Sequence, residues 1–457
     1  MKMLWIVLRR ELQEGATNFT LFCALAALTL FIPLSAYVQA HRYQQLLEDR
    51  TSRQVLRPSE MHEQVTVISR PVPPLFSIFN GLYGRLPDEV TLALGSVSAA
   101  PSIEDLRPLD ALSPTPDLST IIGLIVTLMA VLLTHDAVVG ERERGTLRLI
   151  LSAPIARRMV LTAKLVGALL LTGVVLLYGV ALYVILVTIL GGGVFELSAQ
   201  RLLELTLITT IAFLSAGVFT TLGIAISTLV RTASAALTLS LAAWVAAIVI
   251  WPSLAPLLAA SLRPVSPNQV FRRELLTREQ EVTRGELSEH REMAAALRAQ
   301  NADVETGWNA YLEIKRRWNA RRRERIERVI HDRERHVEQQ QRMTLGLLSI
   351  SPYGAFQTAL GDLCGTGPED YRMFLEAVRR YDAESFIPQS FAAFARDKPW
   401  IQAPDHGEPF RPPPFSAPAR SMKERVRAIR WPVSLLLMEW GFLVALAYLR
   451  FDRYDVR

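Results

Sequence analysis

The stretch that most constrains this chain runs from Gly140 to Arg158, GERERGTLRLILSAPIARR, a charged segment between two apolar runs that are each long enough to cross a bilayer. A soluble core cannot enclose that alternation, because the charges would be dehydrated along with their neighbours. Hydrocarbon about 30 Å thick needs roughly 20 apolar residues at 1.5 Å rise. The stretches that meet the requirement are Asn18–Ala40, Leu118–Val138, Met159–Leu190, Leu202–Leu229, Ala233–Leu254 and Trp431–Leu449. Unpaired peptide groups cannot face lipid, so each is predicted as a helix. The composition agrees: 50% hydrophobic and 21% charged residues coexist in 457 positions only if they are segregated along the chain. The predicted fold class is an all-α polytopic membrane protein with six transmembrane helices.

The first run is too long for a removable signal peptide and lacks a small-residue cleavage site, which makes it an anchor. Basic residues close to span ends set the orientation. Lys2, Arg9 and Arg10 precede the first span, Arg142, Arg144, Arg148, Arg157 and Arg158 separate the second from the third, Arg231 follows the fourth, and Arg450, Arg453 and Arg457 follow the sixth. The Gly191–Arg201 loop is nearly neutral. Both termini are therefore expected in the cytoplasm. The Arg263–Arg430 segment is Arg-rich and lies outside on this reading, but loops of that length escape the rule. The division expected is 1–40 (interfacial helix and first span), 41–117 (first extracytoplasmic insert), 118–262 (spans two to five), 263–430 (second insert) and 431–457 (last span and cytoplasmic tail).

Before the first span, Leu4, Trp5, Leu8 and Leu12 share a helical face, the pattern of an interfacial helix with an aromatic anchor. In the first insert, PVPP, LPDE and SPTP mark turns around short extended pieces such as Gln64–Ser69. Val270–Met343 is dense in Arg and Glu and free of proline. Both its ends return to the membrane, which predicts a helical hairpin with a turn near Gln300–Gly307 and arms reaching on the order of 45 Å. Its stripe of Val304, Trp308, Tyr311 and Trp318 is either a dimer seam or part of a solvated face. Ser351-Pro352 starts a helix, and Tyr353–Leu363 is apolar enough to lie against the membrane or the spans. Pro368–Ala383 reads as amphipathic, with Tyr371, Phe374, Leu375 and Val378 on one side, and Pro399–Pro418 as an extended tether.

Catalytic constellations are missing. HExxH, GxSxG, CxxC and GxxxxGK[ST] do not occur, so no catalytic, cofactor or metal residues are expected and the chain should not hydrolyse ATP by itself. Gly191–Gly193 lacks a following lysine and reads as a flexible turn. Cys23 and Cys364 fall at different predicted depths, which argues against a bridge. The net charge of +6 is small and concentrated at membrane borders, pointing to lipid headgroups rather than nucleic acid. His135-Asp136 reads as interfacial polarity, since adjacent residues point apart on a helix. Glu439 falls near the middle of the last span, where a carboxyl is costly. It is a candidate intramembrane polar site, with functional, structurally partnered and protonated readings all open. Thr206, Thr209, Thr210, Ser215, Thr220, Thr221, Thr238 and Ser240 suit close helix packing and equally the lining of a path. With almost no other ionisable groups in the spans, an ion-coupled carrier lacks its relay.

From Asp136 to Gly167, DAVVGERERGTLRLILSAPIARRMVLTAKLVG resembles the signature of type-2 ABC transporter permeases. The likeness is carried by Glu141, Glu143, Gly145, Thr146, Leu147, Ser152, Pro154, Arg157 and Lys164. Ser351–Tyr381 and the terminal RFDRYDVR are similar to the branch with a large extracytoplasmic insert before the last span, the gliding-motility-type permeases. The resemblance implies that residues 140–151 form one coupling helix docking on a separate cytoplasmic ABC ATPase, which binds ATP and Mg. Glu141, Arg142, Glu143, Arg144, Gly145, Thr146, Leu147 and Arg148 are the expected coupling residues. Glu141 to Arg144 would supply polar contacts, Gly145 would allow close approach or a bend, and Leu147, Ile150 and Leu151 would hold the helix to the membrane body. It further implies export across the bacterial inner membrane by a permease dimer, homodimeric or with a paralogue. The alternative is a scaffold that relays ATPase motion to an extracytoplasmic partner without transport.

Overall fold

The structure, a computed structural model, describes residues 2–55, 65–81, 83, 86, 89–93, 116–152, 156–190, 198–397 and 412–453. Helix α1 (Lys2–Ala16) packs along α5 (Arg157–Leu190), burying Leu8 and exposing Trp5 and Ile6. The spans are α2 (Phe19–Val55), α3 (Leu118–Glu143), α5, α6 (Ala199–Leu229), α7 (Ala233–Leu262) and α14 (Arg430–Asp452), all long and apolar enough to cross a membrane. Three of them start at side-chain caps that satisfy first-turn N–H groups. Asp117 accepts from Thr120, Ser198 from Arg201, and Thr232 from Ala235. Helix α2 continues through Val55, so the helix of the first span runs on into the first insert.

Helix α6 is the centre of the bundle, touching α3, α5, α7 and α14. Apolar burial gains little between helices already in lipid, so van der Waals packing at small residues decides such contacts. A Cβ on Gly223 of α6 would overlap Thr134 of α3. Hydroxyls of Thr206, Thr209, Thr210, Thr220, Thr221 and Thr238 bond to carbonyls four residues back. Thr221 also accepts from Trp440 Nε1 of α14 at 2.9 Å. Helices α3 and α7 each contain a π-helical turn, Ile122–Val126 and Ala246–Ile250.

Two strands form a small sheet among the described residues. β1 (Val65–Ser69) pairs antiparallel with β2 (Glu89–Ala93), Val65 opposite Ala93 and Ser69 opposite Glu89. In the second insert, α8 (Asn268–Ala299) and α9 (Val304–Leu348) form an antiparallel hairpin clamped by Glu286, which pairs with Arg322 at 2.7 Å and Lys315 at 3.2 Å. The aromatic stripe is covered in part: Trp308 and Tyr311 pack on Phe394 of α12 (Ile387–Asp397), and Tyr311 stacks on His290. Helix α11 (Pro368–Tyr381) lays Phe374 and Val378 on Ile68, Val90 and Leu92, so the two inserts share one core.

Helix α10 (Pro352–Cys364) is buried among the spans. Ser215, half-way along α6, donates to Pro352 O at 3.4 Å, and Ser351 donates to Ala247 O in the middle of α7 at 2.6 Å. The chain therefore enters the bundle as the end of α9, turns at 349–351 and leaves as α10, a re-entrant loop. A short helix, α13 (Met422–Ala428), with a Ser421/Glu424 capping box, then leads to α14. The proline-rich tether lies mostly outside the described residues.

Gly223→Val should lower the thermal midpoint of the detergent-solubilised protein, an overpacking cost of about 1–3 kcal/mol. Thr134→Ala in the same chain should recover part of it by opening room on α3.

Candidate functional site

The segment between spans two and three is built from the end of α3 upward. After Thr134 the helix is interrupted, and it resumes as Val139–Glu143. The N–H groups that this restart leaves unpaired are met by another span, because Val138 N and Val139 N donate to Ser227 Oγ of α6 at 3.0 and 3.1 Å. Gly145 then takes φ +75°, a left-handed conformation that reverses the chain without a Cβ clash. Helix α4 (Thr146–Ser152) follows, and Thr146 Oγ1 bonds back to Glu141 O at 3.1 Å. The single coupling helix expected over 140–151 is thus two short helices meeting at Gly145. Leu147 is fully buried with Val138, Leu161, Ile224, Ala225, Ala447 and Phe451.

Glu141 faces inward, contrary to its expected role as a docking contact. Its carboxylate is 2.8 Å from Lys164 Nζ of α5, and the same ammonium is 2.8 Å from Glu11 of α1. Lys164 and Glu141 are each only 4% exposed. Two carboxylates share one cation, and burial, opposed by Lys164, raises the Glu11 carboxyl above the usual glutamate range. The triad joins the end of α3 and the start of α5 to α1, which is distant in sequence. Arg158 binds Asp452 at 2.8 Å, tying the start of α5 to the end of α14. Glu143 Oε1 accepts from Ala233 N at 3.0 Å at the start of α7.

The opposite face of the segment is open. Glu143, Arg144, Gly145, Arg148 and Leu149 are exposed, and Arg142, Thr146 and Ile150 are half-buried. Leu149, next to the exposed Arg148, is 72% exposed, and the sequence reading passed over it. Its spacing from Leu147 carries the signal, since neighbours two apart cannot share a helix face. The side chain of Leu151 and the whole of Pro154 lie outside the described residues. Glu439 is not brought to this site; it sits in α14 about 20 Å along the helix from Asp452, with Oε2 enclosed and no hydrogen-bond partner among the described residues. His135 lies with Nδ1 2.8 Å from Leu132 O, a local contact within its own turn.

A first helix packed along the third span, six helices able to cross a membrane and a short broken segment ion-locked between the second and third define a multi-pass membrane protein. The chain belongs to the ABC-2 family of transporter proteins, which it matches over residues 5–456. It is also similar to the probable ABC transporter permease protein NosY of Stutzerimonas stutzeri, 36% identical over 77 residues that cover 17% of this chain and 28% of that protein.

Lys164→Met should destabilise the protein by about 3–5 kcal/mol, because it leaves the buried Glu141 and the half-buried Glu11 without their shared cation. Replacing Glu11 and Glu141 by Gln in the same chain should restore most of the loss in thermal melts. The raised Glu11 carboxyl favours its protonated form in the folded state, so its contribution is present at low pH and is lost as pH rises through the elevated value. Glu11→Gln should flatten that part of the stability profile above the ordinary glutamate value.

Proposed function

We propose that this permease is the membrane half of an ATP-driven exporter, and that residues 140–151 take force from a cytoplasmic ABC ATPase that binds ATP and Mg. The observation that carries this reading is the two-sidedness of the segment. Leu147, Glu141 and the Ser227 cap fix its inner side to α5 and α6, while Arg144, Arg148 and Leu149 are exposed on the other. A docking face needs this division: an apolar anchor rimmed by charge for the partner, and a rigid attachment that passes displacement to the spans. Closure of an ATPase pair would then rock α3 and α5 and expose a central path to each side in turn. The assembly holds two permeases, identical or paralogous, with both chain ends on the cytoplasmic side of a bacterial inner membrane.

A second reading is favoured by one feature. Helix α9 runs unbroken from the hairpin tip to the re-entrant turn, so motion of the spans can reach an extracytoplasmic partner without transport. Shortening the hairpin separates the two: export should persist on the first reading, and activity should vanish on the second.

Leu149→Asp should weaken association with the cognate ATPase at least about tenfold, the loss of one interface anchor, while insertion and melting stay unchanged. Unaltered co-purification and ATP hydrolysis in this variant and in Arg144→Glu/Arg148→Glu would remove the docking assignment. Gly145→Pro, which cannot adopt φ +75°, should leave hydrolysis intact and uncouple it from transport.

A further inference from the structure

The π-helical turns of α3 and α7 face the same object. A π turn carries one residue too many for the α-helical ladder, which leaves carbonyls needing other donors, and such turns persist where surrounding contacts stabilise them. In α7 the freed Ala247 O is taken by Ser351 Oγ of the re-entrant turn at 2.6 Å. In α3 the Gly123 carbonyl is taken by Thr127 Oγ1. That hydroxyl in turn accepts from Trp244 Nε1 of α7 at 2.9 Å, which joins the two spans directly. The third side is closed by Tyr353, whose ring lies where a Cβ on Gly123 would be. Just beyond the α7 turn, Trp251 Nε1 donates to Leu347 O at the end of α9 at 2.7 Å. The contacts thus form a closed ring through α3, α7 and the re-entrant loop, at a depth set by Ser215 half-way along α6.

We infer that Ser351 and Tyr353 are positioning residues of a latch, through which the re-entrant turn holds spans two and five in their π-helical state together. A π turn that reverts to α rotates the rest of its helix by about 100°, one residue of helical turn. With the ring intact, neither span can make that change without displacing a bond to the other. Release of the turn frees both at once. In a transporter this is the discrete second arrangement that alternating access requires, sited away from the ATPase-facing segment. That use rests on the exporter reading; the latch itself does not.

The test uses the full-length permease alone in lipid nanodiscs, with neither ATPase nor cargo, so its failure is distinguishable from failure of the exporter reading. Amide hydrogen exchange is followed in peptides covering 122–126 and 246–250. Ser351→Ala removes only the bond to α7, and Gly123→Ala disturbs only the contact on α3. The latch predicts that each variant speeds exchange about tenfold in both turns, equivalent to about 1.4 kcal/mol of opening free energy, while the middle of α5 is unchanged. A change confined to the span whose own contact was cut, or a uniform rise through every span, overturns it. Should Gly123→Ala fail to insert, Tyr353→Leu removes the ring without adding volume and carries the same expectation.

Discussion

A single ammonium held between two carboxylates governs the geometry of this permease. Lys164, Glu11 and Glu141 come from near the start of α5, from α1 and from the end of α3, and the ion pairs measure 2.8 Å each. Removing charged groups from water costs several kcal/mol apiece, and mutual attraction recovers this only where the geometry is close. Withdrawal of α5 would strand both carboxylates, whereas withdrawal of α1 or of the end of α3 would leave Lys164 with a single partner. The interfacial helix, the broken segment and the third span therefore behave as one body at this end of the bundle. Leu147 and the Ser227 cap add apolar and dipolar attachments from α6, and the Arg158–Asp452 pair adds the last span.

The spans beyond that anchor cohere by fit. Around α6 the close approaches fall at glycines, Gly223 against Thr134 and Gly217 against Leu169 and Trp440. The hydroxyls along α6 turn mostly to their own helix's carbonyls, so they add few cross-links and leave contact area as the main attraction. Packing of that kind tolerates rotation and sliding more readily than an ion cluster does. The stiff end and the yielding middle are thus made of different interactions.

Much of this was legible in the residues. Long apolar runs specify spans because lipid permits no other backbone, and the helical hairpin follows from a proline-free charged stretch whose two ends return to the membrane. Gly145 followed by Thr146 announced a bend, although its effect, splitting the segment in two, depends on a positive φ that composition does not reveal. Glu141 and Lys164 stood in the same motif, yet their pairing, and Glu11 as third member, required knowing that α1 lies along α5. The re-entrant loop was the least visible. Tyr353–Leu363 is apolar enough to rest on lipid, on protein or between spans, and only tertiary contacts such as Ser351 with Ala247 choose among these. The aromatic stripe of α9 carried the same ambiguity until Phe394 covered part of it.

Helix α3 links the two kinds of structure. One end carries the π turn against Tyr353, the other the Ser227-capped restart that leads to Glu141, and the intervening helix is closely packed on α6 at Thr134. On the exporter reading, a displacement delivered to the exposed Arg144–Leu149 face would not be absorbed at the triad, where yielding is most costly. It would pass along α3 to the first place where the ladder already holds a surplus residue. A π turn has a nearby α-helical alternative, so it can respond by switching rather than by graded bending. Energy applied at the ion-locked end would on this account be released about 22 Å away, between Gly123 and the re-entrant turn, where spans two and five meet.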